Sequence, residues 1–262
     1  MEGPLKLAIC LAASMLFCSS ALAQSNQSPQ ANPGRPTVST PATLTPVGYL
    51  QFETGGLGAT DSPGVSTFEG INEVAKLTVA PRLQLLAAFS PFAHYFANGQ
   101  TGSSAGGISL GGQAVIRKGE GASPTIALSY FHEVYGGAAP DLDMGSATNS
   151  GILLASADVK GFHYDSNALL NEMTDSGVRR AQYGQTLSVS HYVAGKLSVS
   201  GEIWHFTQPF LRGNAVGNLW ALNYNARNTL VFDAGFDRGL THTSTQWEAF
   251  AGFTYLLPHR LW

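Results

Sequence analysis

The stretch TLVFDAGFDRG, residues 229–239, alternates with a period of two: Leu230, Phe232, Ala234 and Phe236 fall on one side, and Thr229, Asp233, Gly235 and Asp237 on the other. Successive side chains of a strand point to opposite faces, so this segment predicts a β-strand with one oily face and one small or acidic face. In TIALSYFHEVY (125–135), Ile126, Leu128, Tyr130 and Val134 likewise oppose Thr125, Ala127, Ser129 and Glu133. In QYGQTLSVSHYV (182–193), Tyr183, Leu187, Val189, His191 and Val193 oppose Gln182, Gly184, Thr186, Ser188 and Ser190. The chain ends on WEAFAGFTYLLPHRLW (247–262), where Trp247, Ala249, Ala251, Phe253, Tyr255 and Leu257 form one apolar series and Glu248, Gly252 and Thr254 face away from it.

About twelve such segments follow one another from Thr45, each roughly 9 to 13 residues long, the length a tilted strand needs to cross a hydrocarbon core. They start near residues 46, 67, 83, 106, 124, 150, 161, 180, 197, 216, 229 and 245, and no window has a helical period. Short turns are expected at 80–82, 117–123, 159–161, 194–196 and 226–228. Longer loops rich in Gly, Ser, Asp and Thr are expected near 56–66, 96–105, 136–149, 174–179, 209–215 and 240–244. Long and short connections alternate strictly, as in bacterial outer-membrane barrels with short periplasmic turns, longer outer loops and an even strand number. Both termini are then periplasmic.

Composition separates this reading from a soluble β-sandwich. Only 12% of residues are charged and 10% are aromatic, whereas an ordinary soluble domain carries about a quarter charged residues. The polar face is built from Gly, Ser, Thr and Asn with few lysines, a poor surface for facing water. A formal net charge of −3 and the lack of a basic cluster give no argument for nucleic acid or an anionic surface, so no nucleic-acid partner is expected.

The N-terminus reads as a secretory signal. MEGPLKLAICLAASMLFCSSALAQ has Lys6, an apolar run from Leu7 to Phe17, and Ala21-Leu22-Ala23 as a small-x-small cleavage site before Gln24. The run is well short of the ~20 residues of a transmembrane helix. Both cysteines, Cys10 and Cys18, lie inside it, so the exported chain is expected to hold no disulfide, thiolate metal site or cysteine nucleophile. Residues 24–44, QSNQSPQANPGRPTVSTPATL, are rich in Pro, Ser, Gln and Asn and are expected to be a flexible lead-in. The domain order is therefore signal peptide 1–23, flexible segment 24–44 and barrel 45–262.

On the inner face the expected pore-lining set is Glu53, Glu133, Asp165, Glu202, Asp233, Asp237 and Glu248, with Arg117 and Arg180 as their partners and His163 beside Asp165. Charged rings of this kind give channels a preference among solutes, and the same groups also fill a lumen with hydrogen bonds. GFHYDSNALLN puts His163, Asp165, Asn167 and Asn171 on one face; no third ligand at metal spacing accompanies them, so no metal is expected. Neither a cofactor nor an ATP-binding loop is implied. Ser190 and His191 are adjacent and diverge, as do Ser129 and His132 in a regular strand, so no catalytic residue is assigned and no enzyme activity is expected.

The segments GFHYDSN (161–167), WALNYNARNTLVFDAGFDRGLT (220–241) and FAGFTYLLPHRLW (250–262) are similar to outer-membrane transporters of the MetA-pathway of phenol degradation type. The resemblance covers most of the chain after about residue 45 and is sharpest from about 180. It implies a channel for passive passage of small organic molecules, including aromatic or hydrophobic ones. The last strand also resembles the signal read by the outer-membrane barrel-assembly machinery, which implies that role for Gly252, Tyr255, Leu257 and Trp262, with Pro258 to Leu261 as an unusual insertion. Expected partners are outer-membrane lipids, that machinery and a small solute. Two alternatives stay open: an outer-membrane lipid or ester hydrolase, and a non-conducting structural barrel whose lumen is filled by residues 24–44 or by side chains.

Overall fold

A computed structural model describes residues 28–140, 142 and 147–262; the expected signal peptide and cleavage site lie outside the described residues. The chain forms thirteen strands and no helix in this range. They are β1 (Leu50–Ser62), β2 (Val65–Ala80), β3 (Leu83–Ala97), β4 (Gln100–Ser104), β5 (Ile108–Arg117), β6 (Thr125–Tyr135), β7 (Ala147–Val159), β8 (Phe162–Asp175), β9 (Val178–Ala194), β10 (Leu197–Thr207), β11 (Asn214–Arg227), β12 (Leu230–Gly239) and β13 (Trp247–Leu256). Neighbours pair antiparallel, and β1 pairs with both β2 and β13, which closes the sheet. Closure leaves no edge in the wall, the condition for crossing lipid with strands.

Twelve strands make the barrel; β4 is the thirteenth. It pairs only with the upper half of β3 (Ala93↔Ser104 to Ala97↔Gln100), while β5 takes the lower half (Leu83↔Ala114 to Phe89↔Ile108). A break at Ala105-Gly106-Gly107 thus splits one long segment in two, and the β3–β4 hairpin projects beyond the wall.

The packing is inverted relative to a soluble protein. Gln51, Gln182 and Thr254 are fully buried, whereas Tyr183 is 60% and Trp220 52% exposed. In register, the apolar series of β13 continues that of its neighbours, with Phe253 opposite Phe232 and Thr54, and Tyr255 opposite Leu230 and Phe52. Polar-in, apolar-out alternation is what a transmembrane barrel requires and what a sandwich forbids.

At the end of the barrel where Ser28 and the C-terminus lie the connections are short, as expected. At the other end three of the expected loops, 56–66, 96–105 and 174–179, are strands running on into tight turns at Pro63-Gly64, Asn98-Gly99 and Ser176-Gly177. Gly64 and Gly177 take φ of 78° and 80°, so glycine fits these corners without steric cost. Loop length therefore marks the two ends less sharply than the composition predicts; extended hairpins replace coil.

Candidate functional site

The lumen is the candidate site, and residues 28–49 enter it from the β11–β12 turn, with Asn32 to Thr45 lying along its inner wall. The expectation of a flexible lead-in is corrected: this strap makes a circuit of the inner wall, bonded to a succession of strands. Ala31 N–H donates to the Asn228 carbonyl at the β11–β12 turn. Asn32 exchanges two bonds with the Gln51 amide at 2.8 Å each, and Gly34 N–H donates to Glu53 at 3.0 Å. Val38 N–H, Ser39 N–H and Ser39 Oγ all donate to Glu202, at 2.7, 2.6 and 2.5 Å. Thr40 meets Asn167, Ala42 N–H meets Ser156 Oγ, the Gln113 amide donates to the Pro41 carbonyl, and Thr45 meets Gln84 and Thr78. Asn32 and Thr43 are bonded to each other, so the circuit is closed on itself.

The physical reason is backbone accounting. A Pro-, Ser- and Asn-rich segment has little apolar surface to bury, and its buried N–H groups must find acceptors. The inward face of the strands is a lattice of carboxylates, amides and hydroxyls that supplies them. Small apolar contacts fill the rest: Ala42 packs with Val115, Ala127 and Leu154, and Val38 packs with Trp204, Phe206 and Ala215.

Charge is matched locally. Lys76 Nζ lies 2.5 Å from Glu53 Oε1 with both side chains buried. Arg35 meets Asp233 through two bonds, Nε to Oδ2 at 3.3 Å and an Nη2 bond to Oδ1 at 3.1 Å. The guanidinium lies against Gly55 and Gly252; a Cβ at either position would overlap it. Gly55, Gly252 and Asp233 are in register across β1, β13 and β12, so three neighbouring strands form one slot.

Of the residues assigned to the inner face, Glu53, His163, Asp165, Glu202, Asp233, Asp237 and Glu248 point inward, as does Glu133 at the far end of β6. Asp237 accepts a bond from the Trp204 indole at 2.6 Å. Arg117 is a correction: a register shift between Val115 and Arg117 takes it out of the inward series, and its guanidinium bonds Ser123 in the β5–β6 turn. Arg180 pairs with no carboxylate of the set; it bonds the Pro209 carbonyl and stacks over Phe210 at 5.0 Å, at the far end. Arg35 and Lys76, which pair with Asp233 and Glu53, are not among the cations expected on the inner face. Lys76 lies in TFEGINEVAKLTV (67–79), which alternates poorly, and Arg35 in residues 24–44, which have no periodicity.

His163 sits between two carboxylates, Nδ1 at 2.7 Å from Asp158 and Nε2 at 3.2 Å from Asp165. Asp165 in turn accepts from Ser156. Both ring nitrogens face carboxylates, so the imidazole has no position from which to take a serine proton. A serine–histidine contact does occur outside the lumen, where His94 Nδ1 lies 2.7 Å from Ser103 Oγ on the β3–β4 hairpin, with Glu69 in register beside His94. No group of three or more His, Cys, Asp or Glu suited to a metal occurs among the described residues.

Of the residues assigned to assembly, Gly252 faces Arg35, Tyr255 faces outward and Trp262 is exposed. The tail folds back, with Leu261 N–H donating to the Gly48 carbonyl where the strap enters β1.

Solved structures share this architecture. An outer membrane channel from Pseudomonas putida F1 superposes with a TM-score of 0.59 at 15% identity, covering 82% of this chain and 98% of that one. The NanC porin superposes with a TM-score of 0.54 at 9% identity, covering 79% and 98%. At these identities the likeness establishes the fold. No protein-family model and no curated protein matches the chain.

Proposed function

We propose that the protein is an outer-membrane channel for passive passage of small organic molecules, closed in this conformation by its own strap. The observation that carries this reading is the inner wall itself. Its side chains hold the strap through hydrogen bonds and the Arg35–Asp233 ion pair, contacts that water or a polar solute can replace. The outward apolar face supports lipid as the surrounding medium, and the barrel shared with a solved outer membrane channel and a porin supports the outer membrane as the place. The end carrying the termini is then periplasmic. The resemblance to the MetA-pathway transporters supports aromatic or hydrophobic organic molecules as solutes.

The structural barrel is the second reading, favoured by the strap filling the half of the lumen nearest the termini. Liposome swelling with sugars, aromatic acids and ions of graded size separates the two, using the whole chain and a strap-loosened variant, Glu202→Gln. Permeation by the variant above that of the unmodified chain supports the channel. No permeation through either, with correctly folded barrels, leaves the structural barrel. The hydrolase reading rests on His94 and Ser103 alone; loss of ester cleavage in Ser103→Ala is its test.

A further inference from the structure

We propose that Gly55, Gly252 and Asp233 form a binding slot for the guanidinium or ammonium group of a small organic cation, which Arg35 fills while the strap is docked. The inference rests on the channel reading and names the solute class that its lumen selects.

The slot is built rather than incidental. Two glycines face each other in register across the β1–β13 seam, and the residue opposite Gly252 on the next strand is Asp233. The floor is flat only because neither position carries a Cβ: any side chain at Gly55 meets the guanidinium carbon and both terminal nitrogens of Arg35. A planar cation thus lies on a backbone floor with a carboxylate at its edge, receiving two N–H donors. A fork of donors set against the two oxygens of one carboxylate is the geometry that favours guanidinium over a point charge, although a primary ammonium fits the same carboxylate less fully. With the strap docked Asp233 is 6% exposed; a departing Arg35 uncovers a carboxylate that faces the lumen without its cation and is open to a replacement.

The surroundings point the same way. With the strap withdrawn, Glu53, Glu202 and Asp233, the inward carboxylates that it bonds, are uncovered together. Lys76 remains tied to Glu53 and His163 lies between Asp158 and Asp165. The backbone N–H groups that Glu53 and Glu202 now accept are donors of the kind an amine- or amide-bearing solute brings. The strap is, in chemical terms, a built-in competitor: one guanidinium followed by a run of N–H and O–H donors. Acidic linings of this kind select cations.

The test uses full-length Arg35→Ala, with Arg35→Gln as the fallback if assembly fails, and reads two quantities. The first is thermal unfolding of the detergent-solubilised barrel with added methylguanidinium chloride against sodium chloride at equal ionic strength. The second is reversal potential and block in planar bilayers. Methylguanidinium is expected to raise the melting temperature of Arg35→Ala but not of Arg35→Ala/Asp233→Asn. It is also expected to block the cation-selective current at about tenfold lower concentration in the first than in the second. Equal thermal response in the two variants, or anion-selective current, overturns the slot. Rescue without any current in any variant retains the slot and removes the channel reading, so the two failures are distinct.

Discussion

Replacing Glu202 by glutamine changes one atom and tests the docking of the strap most directly. One carboxylate accepts three bonds from Val38 and Ser39, at 2.5 to 2.7 Å, in a site where the side chain is 5% exposed. Hydrogen bonds to a charged acceptor contribute about 1.5–3 kcal/mol each. The amide retains one acceptor oxygen but loses its charge and turns an NH₂ group toward a donor, so one bond is lost and two are weakened. A net loss of about 3 kcal/mol of docking free energy follows, allowing for the non-additivity of bonds that share an acceptor. At 1.4 kcal/mol per decade, the undocked population rises roughly 100-fold. Limited proteolysis of reconstituted protein reads that population as cleavage between Val38 and Thr43, while heat-modifiable migration on a gel reports an intact barrel. Equal cleavage rates for variant and unmodified chain would refute the reasoning, because a strap held at Glu202 cannot lose this acceptor without opening more often.

Three further outcomes follow from the same geometry. Gly55→Ala places a methyl group where the Arg35 guanidinium lies, the three nearest atoms all belonging to that flexible side chain, and is expected to displace Arg35 and raise conductance while leaving barrel assembly intact; unchanged conductance together with unchanged accessibility of Arg35 to chemical labelling contradicts it. Lys76→Met leaves Glu53 buried without its cation and is expected to cost about 3 kcal/mol, read by urea unfolding in detergent or lipid; a loss within measurement error counts against a buried pair. Trp220 and Trp247 are expected to be quenched by lipids brominated along their acyl chains, and Trp204, which is buried and bonded to Asp237, to be spared; quenching of Trp204 as strong as that of the others would turn the barrel inside out.

Legibility of the fold and of the site differs along the chain for a physical reason. In β12 and β13 each residue's face is set by its parity, so Asp233, Asp237, Glu248 and Gly252 could be assigned inward from TLVFDAGFDRG and WEAFAGFTYLL. Arg117 shows the limit: a single register shift near the strand end moves a side chain from lumen to turn, and no period-two count registers such a shift. Loops 56–66 and 174–179 read as coil because Gly, Ser and Asp signal turns, yet paired strands satisfy their backbone and keep them extended.

The sequence by itself determined the barrel, its inside and its outside, because strand parity and the apolar or polar nature of each residue are local properties. Only the tertiary structure decided that residues 32–45 lie along the inner wall of the lumen. That segment has no periodicity and almost no apolar face, so nothing local orders it. Its order comes from Gln51, Glu53, Gln84, Gln113, Ser156, Asn167, Glu202 and Asp233, which stand on seven different strands and face one another only after β1 has closed on β13. Gly252 belongs to both accounts: parity points it inward, and the closed barrel supplies the guanidinium that needs the space.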